Sequence, residues 1–77
     1  MKIQDFINDL TEELELENSL ELETDLTQLD EWDSMAVMVI IAYVSDNLDI
    51  TLTGEDLQNI ITTQSLIDKI GEDKFDN

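Results

Sequence analysis

The sequence predicts an all-α domain, three main helices and one short one, with a long ordered loop between the first two. Three observations carry that expectation. The 77-residue chain is 42% hydrophobic with two Phe, one Tyr, one Trp and no proline, a composition that suits a small helical bundle better than a β-sandwich or a disordered chain. Its apolar residues recur at helical spacing near both ends, and a serine stands where a ten-residue apolar run begins. A chain this short makes one domain, 1–77, and buries only a modest fraction of its surface, which leaves little room for a large internal active site.

Residues 3–14 place Ile3, Phe6, Ile7, Leu10 and Leu14 at helical spacing, with Gln4, Asp5, Asn8, Asp9, Glu12 and Glu13 between them, the pattern of a first amphipathic helix. From 17 to 33 the pattern loosens. Leu20, Leu22, Leu26, Leu29 and Trp32 lie among seven carboxylates without a sustained period, so this stretch reads as a long ordered loop pinned to the core by its leucines. The run 35–44 is ambiguous alone, because Val37, Val39, Ile40, Ile41 and Val44 are β-branched and suit a buried strand equally well. Context favours a helix reaching Leu48: Asp33 or Ser34 is a good N-cap, and the chain holds no hairpin partner of comparable pattern. Residues 48–52 make a short extended connector. Thr53 can cap a brief helix through Ile61, with Glu55 and Asp56 near its positive end, and Thr62 and Thr63 then interrupt it. A last helix turns Leu66, Ile67 and Ile70 inward and stops near Gly71, leaving 72–77 as a polar tail expected to fray.

Three basic residues against twenty acidic ones give a net charge of −17. Such a chain repels nucleic acid and anionic membrane surfaces and attracts basic protein patches, so its expected partners are basic proteins. Histidine and cysteine are both absent, which removes disulfides, thiolate or imidazole zinc sites, cysteine nucleophiles and any Ser-His-Asp machinery, and argues against independent catalysis. The acidic clusters fail the grammar of a calcium loop, since a loop starting at Asp46 puts Thr51 at the glycine position and Leu57 at the closing glutamate, and no metal site is expected. No signal peptide is evident, and the apolar run is about half of the roughly 20 residues that span a bilayer, so a cytoplasmic protein is the expectation.

At Asp33-Ser34-Met35 the chain resembles the acyl carrier protein family, whose attachment site is Asp-Ser-Leu at the start of the second helix of a four-helix bundle. The resemblance covers nearly the whole chain: helix, acidic loop with Leu26 and Leu29 ahead of the serine, helix, short helix, the Thr62-Thr63 break and a final helix. It implies an acyl-carrier-like four-helix bundle in which a phosphopantetheinyl transferase moves 4′-phosphopantetheine from coenzyme A onto the Ser34 hydroxyl. The cofactor would bring the thiol that this cysteine-free chain lacks, and an acyl or related group would ride on it as a thioester between acyl-loading and acyl-using enzymes with basic or apolar docking patches. By the same resemblance, Asp33 helps to bind the divalent cation used in the transfer. The implied protein is a non-catalytic monomeric carrier of a specialised fatty-acid, polyketide or secondary-metabolite pathway.

Helix 35–48 carries two apolar stripes, more than one core requires. Ile40, Val44 and Leu48, with Ile41 alongside, suit the interior. Met35, Met38, Val39 and Ala42, at i, i+3, i+4 and i+7, form the second stripe, which corresponds to the family's partner-facing surface, with ordinary packing against the long loop as the competing reading. Two departures from the family pattern stand out, one at the turn before Asp33 and one that bears on docking. Glu31 stands where many members place a glycine, and a bulky Trp32 lies next to Asp33, which bears on the turn ahead of the serine. Asp46 is the one carboxylate of a helix that is usually studded with them, with Val39 and Ser45 at positions commonly acidic, which implies docking through more apolar contact.

The same residues admit three other readings. Asp-Ser before a helix is often plain N-capping; the chain as a whole suits an acidic helical adaptor that binds a basic partner without a prosthetic group; and Ser34 could be a phosphorylation site, although the surrounding carboxylates oppose the added charge.

Overall fold

In the computed structural model of the protein, which describes residues 1–76, the first helix, α1, spans Ile3–Glu13 and buries Phe6, Ile7 and Leu10, the face that the spacing predicts. Glu15 ends it in the left-handed conformation at φ 56°, and the N–H groups of Glu15 and Leu16 close onto the carbonyls of Glu12 and Thr11, each at 3.0 Å. This is a Schellman-type stop, and it launches the chain into the long loop.

The loop is ordered by backbone as well as by leucines. Leu20 and Leu26 are buried and Leu29 and Trp32 pack half-buried on the core, whereas the Leu22 side chain is exposed. One 3₁₀ turn, Leu26–Gln28, is capped by Asp25, whose carboxylate accepts the Thr27 N–H at 3.0 Å. Up to the first residue of this turn the loop is laced to the start of the last helix: Leu26 N–H donates to the Ile61 carbonyl at 2.7 Å, Thr63 N–H to the Thr24 carbonyl at 3.2 Å and Gln64 N–H to the Leu22 carbonyl at 3.0 Å. Asp25 and Thr62 thereby form an isolated antiparallel bridge, and no strand occurs among the described residues.

The β-branched run is helical. α2 spans Ser34–Leu48 and buries Ala36, Ile40, Tyr43 and Val44 before Asp49, left-handed at φ 56°, ends it. α3, Gly54–Gln58, is shorter than the expected helix to Ile61. Its start is fixed by a capping box in which Thr53 Oγ1 accepts the Asp56 N–H at 3.1 Å and Asp56 returns an acceptor to the Thr53 N–H at 3.0 Å. Those Thr53 bonds, and then Lys69 at 3.4 Å, hold the Asp56 carboxyl below its usual value. α3 stops early because the Ile61 and Thr62 N–H groups are already committed to Ser65 Oγ, at 3.0 and 2.9 Å, in the cap of the next helix. α4, Thr63–Ile70, begins in this second capping box and turns Leu66, Ile67 and Ile70 inward. The threonines that read as an interruption are therefore the N-cap and first residue of α4.

The tail corrects the expectation of fraying over residues 72–76; Asn77 lies outside the described residues. Gly71 turns the chain at φ 109°, where a Cβ would meet Asp73 Oδ1 at 2.8 Å, and a 3₁₀ turn, Glu72–Lys74, follows. Phe75 returns to the core, 6% exposed, with its ring 5.3 Å from that of Phe6. Burying one such ring stabilises by about 1.5–3 kcal/mol, and the backbone bonds of Lys74 and Phe75 to Gly71 and Glu72 add to the hold on this segment. The Asp76 N–H bonds the Met1 carbonyl and its carboxylate the terminal ammonium, both at 2.8 Å. Four α-helices thus enclose one core among the described residues, and none of them is long and apolar enough to cross a membrane.

Candidate functional site

Ser34 is the first residue of α2 and is exposed. Asp33 precedes it in extended backbone, φ −137°, and its Oδ1 accepts the Ala36 N–H at 2.9 Å. Asp33 is therefore the N-cap. This division matters, because a capping serine turns its oxygen back onto the helix, whereas here the aspartate does that work and the Ser34 hydroxyl has no hydrogen-bond partner among the described residues. The helix end also directs the N–H groups of its first turn, and the positive end of its dipole, toward the same exposed position.

The surroundings are acidic. Glu13 and Glu15, from the end of α1, meet Glu31 and Asp33 around a cleft of about 200 Å³ beside the first turn of α2. No lysine lines this cleft. A phosphomonoester, with its charge of about −1.5 to −2 at pH 7, would be opposed here more strongly than a phosphodiester with a single charge.

The two stripes of α2 separate largely as the spacing implies. Ile40 and Val44 are fully buried, with Ile41 and Leu48 half-buried against the core. Met35 and Met38 stand 71% and 69% exposed, so the long loop does not cover them. Val39 is half-buried, and Ala42 and Asp46 are exposed on the same side. Trp32 packs against the core.

Two features of this face escape a reading of the sequence. Tyr43 is buried, donates its hydroxyl to the Asp9 carboxylate of α1 and packs its ring 5.9 Å from that of Phe6. Burial first, then the Asp9 hydrogen bond and charge, push its phenol well above the usual value of 10.0. The other feature is a second cleft, about 440 Å³, that brings Glu12 and Glu13 of α1 against Val39, Ala42 and Asp46 of α2. Nothing local reveals that neighbour, since helical spacing marks Glu12 and Glu13 only as outward-facing.

Compared with known proteins, the chain matches no family model, no curated protein and no solved structure.

Proposed function

We propose that the protein is an acyl carrier, with Ser34 as the attachment point of a 4′-phosphopantetheine arm. The observation that carries this reading is an exposed serine hydroxyl, released from capping by Asp33, at the N-terminus of a 15-residue helix. When bound, the arm supplies the thiol that holds an acyl or related group as a thioester. The chain's own residues anchor and present it.

The residues fit the group. Asp33 uses one oxygen for Ala36 and keeps its exposed carboxylate as a hard ligand for the divalent cation of the transfer. The open first turn of α2 suits a singly charged phosphodiester, and the rigid core under Ala36 and Ile40 holds that turn in place. The order of elements, a long laced loop before the serine and a short third helix after it, supports an acyl-carrier-like bundle. The exposed methionines and sparse charge of α2 support docking through more apolar contact, in keeping with delivery to enzymes of a specialised fatty-acid, polyketide or secondary-metabolite pathway.

The test is intact mass after incubation with coenzyme A and a promiscuous phosphopantetheinyl transferase. The reading expects a gain of one phosphopantetheine that Ser34→Ala abolishes. An unchanged mass, under conditions that load a control carrier, favours instead an acidic adaptor acting through its charge of −17 alone.

A further inference from the structure

We propose that the seam between α1 and α2 is a docking groove for a basic amphipathic helix of a partner protein, with its apolar floor on α2 and its charge on α1, Asp46 and the residues that flank the two helices. Glu13 and Val39 line both clefts described above, so the two adjoin along the seam. Together they follow α2 from Met35 to Asn47, about 18 Å or three turns of an opposing helix.

The floor is apolar and the walls are anionic. Ala36, Val39 and Ala42 line the groove with Met35 at its end, and Met38 stands exposed on the same helix. Glu12, Glu13 and Asp46 flank it without a cationic partner among the described residues, Lys69 being paired with Asp56. The carboxylates that α2 lacks are thus supplied across the seam by α1.

This combination selects its occupant. A second copy of the chain would bring another net charge of −17 to the same place, and an anionic membrane would be repelled as well. A neutral apolar segment would cover the floor and leave the flanking carboxylates desolvated and unpaired. A helix with Lys or Arg beside an apolar stripe satisfies both floor and walls. Asp33 and Met35 line the groove's far end, so an occupant of the seam lies beside Ser34. The proposal rests on the carrier reading only in taking this partner to be an enzyme that uses the Ser34 arm.

The experiment uses the full chain carrying Ser34→Ala, so that its outcome does not depend on the arm. The probe is a synthetic helical peptide with leucine on one face and lysine beside it; oligolysine is the control probe, and amide chemical shifts map the binding. Shifts are expected along α1 and α2, with Leu–Lys peptide bound more tightly than oligolysine. Neutralising the walls, Glu12→Gln with Glu13→Gln and Asp46→Asn, weakens the peptide about tenfold or more, while the matched loop change, Glu17→Gln with Glu21→Gln and Glu23→Gln, costs less than about twofold. Met35→Ser with Met38→Ser weakens the Leu–Lys peptide and leaves oligolysine unchanged. Equal weakening by wall and loop variants, shifts centred on residues 17–33, oligolysine binding as tightly as the peptide, or self-association that covers the groove each overturns the proposal. Loading of Ser34 without seam binding removes the groove and keeps the carrier; seam binding without loading does the reverse.

Discussion

Asp33 and Ser34 divide one task between neighbouring side chains. The aspartate closes the helix end and the serine is exposed, so the cap of Asp33 and its proposed cation-binding role can be separated by substitution. Asp33→Ala removes the acceptor of the Ala36 N–H and is expected to cost about 1 kcal/mol in urea unfolding. Asp33→Asn keeps a capping oxygen and is expected to hold stability within a few tenths of a kcal/mol, yet on the carrier proposal it slows phosphopantetheinyl transfer, because the carboxylate proposed as cation ligand is gone. Transfer by the Asn variant at the unmodified rate would remove Asp33 from the cation's coordination. A second residue-scale test lies at Thr63, fully buried with its N–H bonded to Thr24 and its hydroxyl without a partner among the described residues. Thr63→Val deletes that unpaired hydroxyl at nearly constant shape, and a gain of about 1 kcal/mol is expected. A loss of stability would mean that the hydroxyl has a partner in solution.

Between elements, the tie that matters most to the site is Tyr43 of α2 against Asp9 of α1, because it fixes the seam on which Glu12 and Glu13 meet Val39. The phenol is raised above its usual value of 10.0, so it contributes stability that is fully present below pH 10 and is lost as pH rises beyond it. The chain has one tyrosine, which makes ultraviolet titration a direct readout. Its ionisation is expected well above pH 10, together with unfolding, and an ordinary titration centred near pH 10 in the folded protein would contradict the packing. The helices themselves were legible, because Ile3 to Leu10 and Leu66 to Ile70 keep one helical face and Thr53 is a strong cap, whereas Thr62 read as an interruption and its capping of α4 was not seen. The loop's lacing onto Ile61, Thr63 and Gln64 was not, since it joins backbone groups distant in sequence. Phe75 was hidden for the same reason: a lone aromatic in a polar segment has no period, and only Phe6 gives it a place. At the site, the place of Ser34 at the head of α2 and the second apolar stripe were legible, whereas the exposure of Met35 and Met38 was not, since the long loop was an equal candidate to cover them, and the acids that α1 contributes depend on which helix lies alongside.

The whole molecule carries twenty carboxylates against three lysines, and most of its negative charge is unpaired. Self-repulsion opposes the folded state, and screening relieves it. Raising salt from about 10 mM to about 150 mM shortens the Debye length from about 30 to about 8 Å and is expected to raise Tm by about 4 °C or more. A Tm indifferent to salt would place the charges too far apart to matter. The same charge suits a protein that visits basic partners in turn and must leave each one, which is how a carrier works. That claim stands on what Ser34 holds in its own cell. Intact mass and fragmentation of the native protein are predicted to place one phosphopantetheine on Ser34, bare or acylated through its thiol; an unmodified serine, or phosphate alone at that position, would contradict the account.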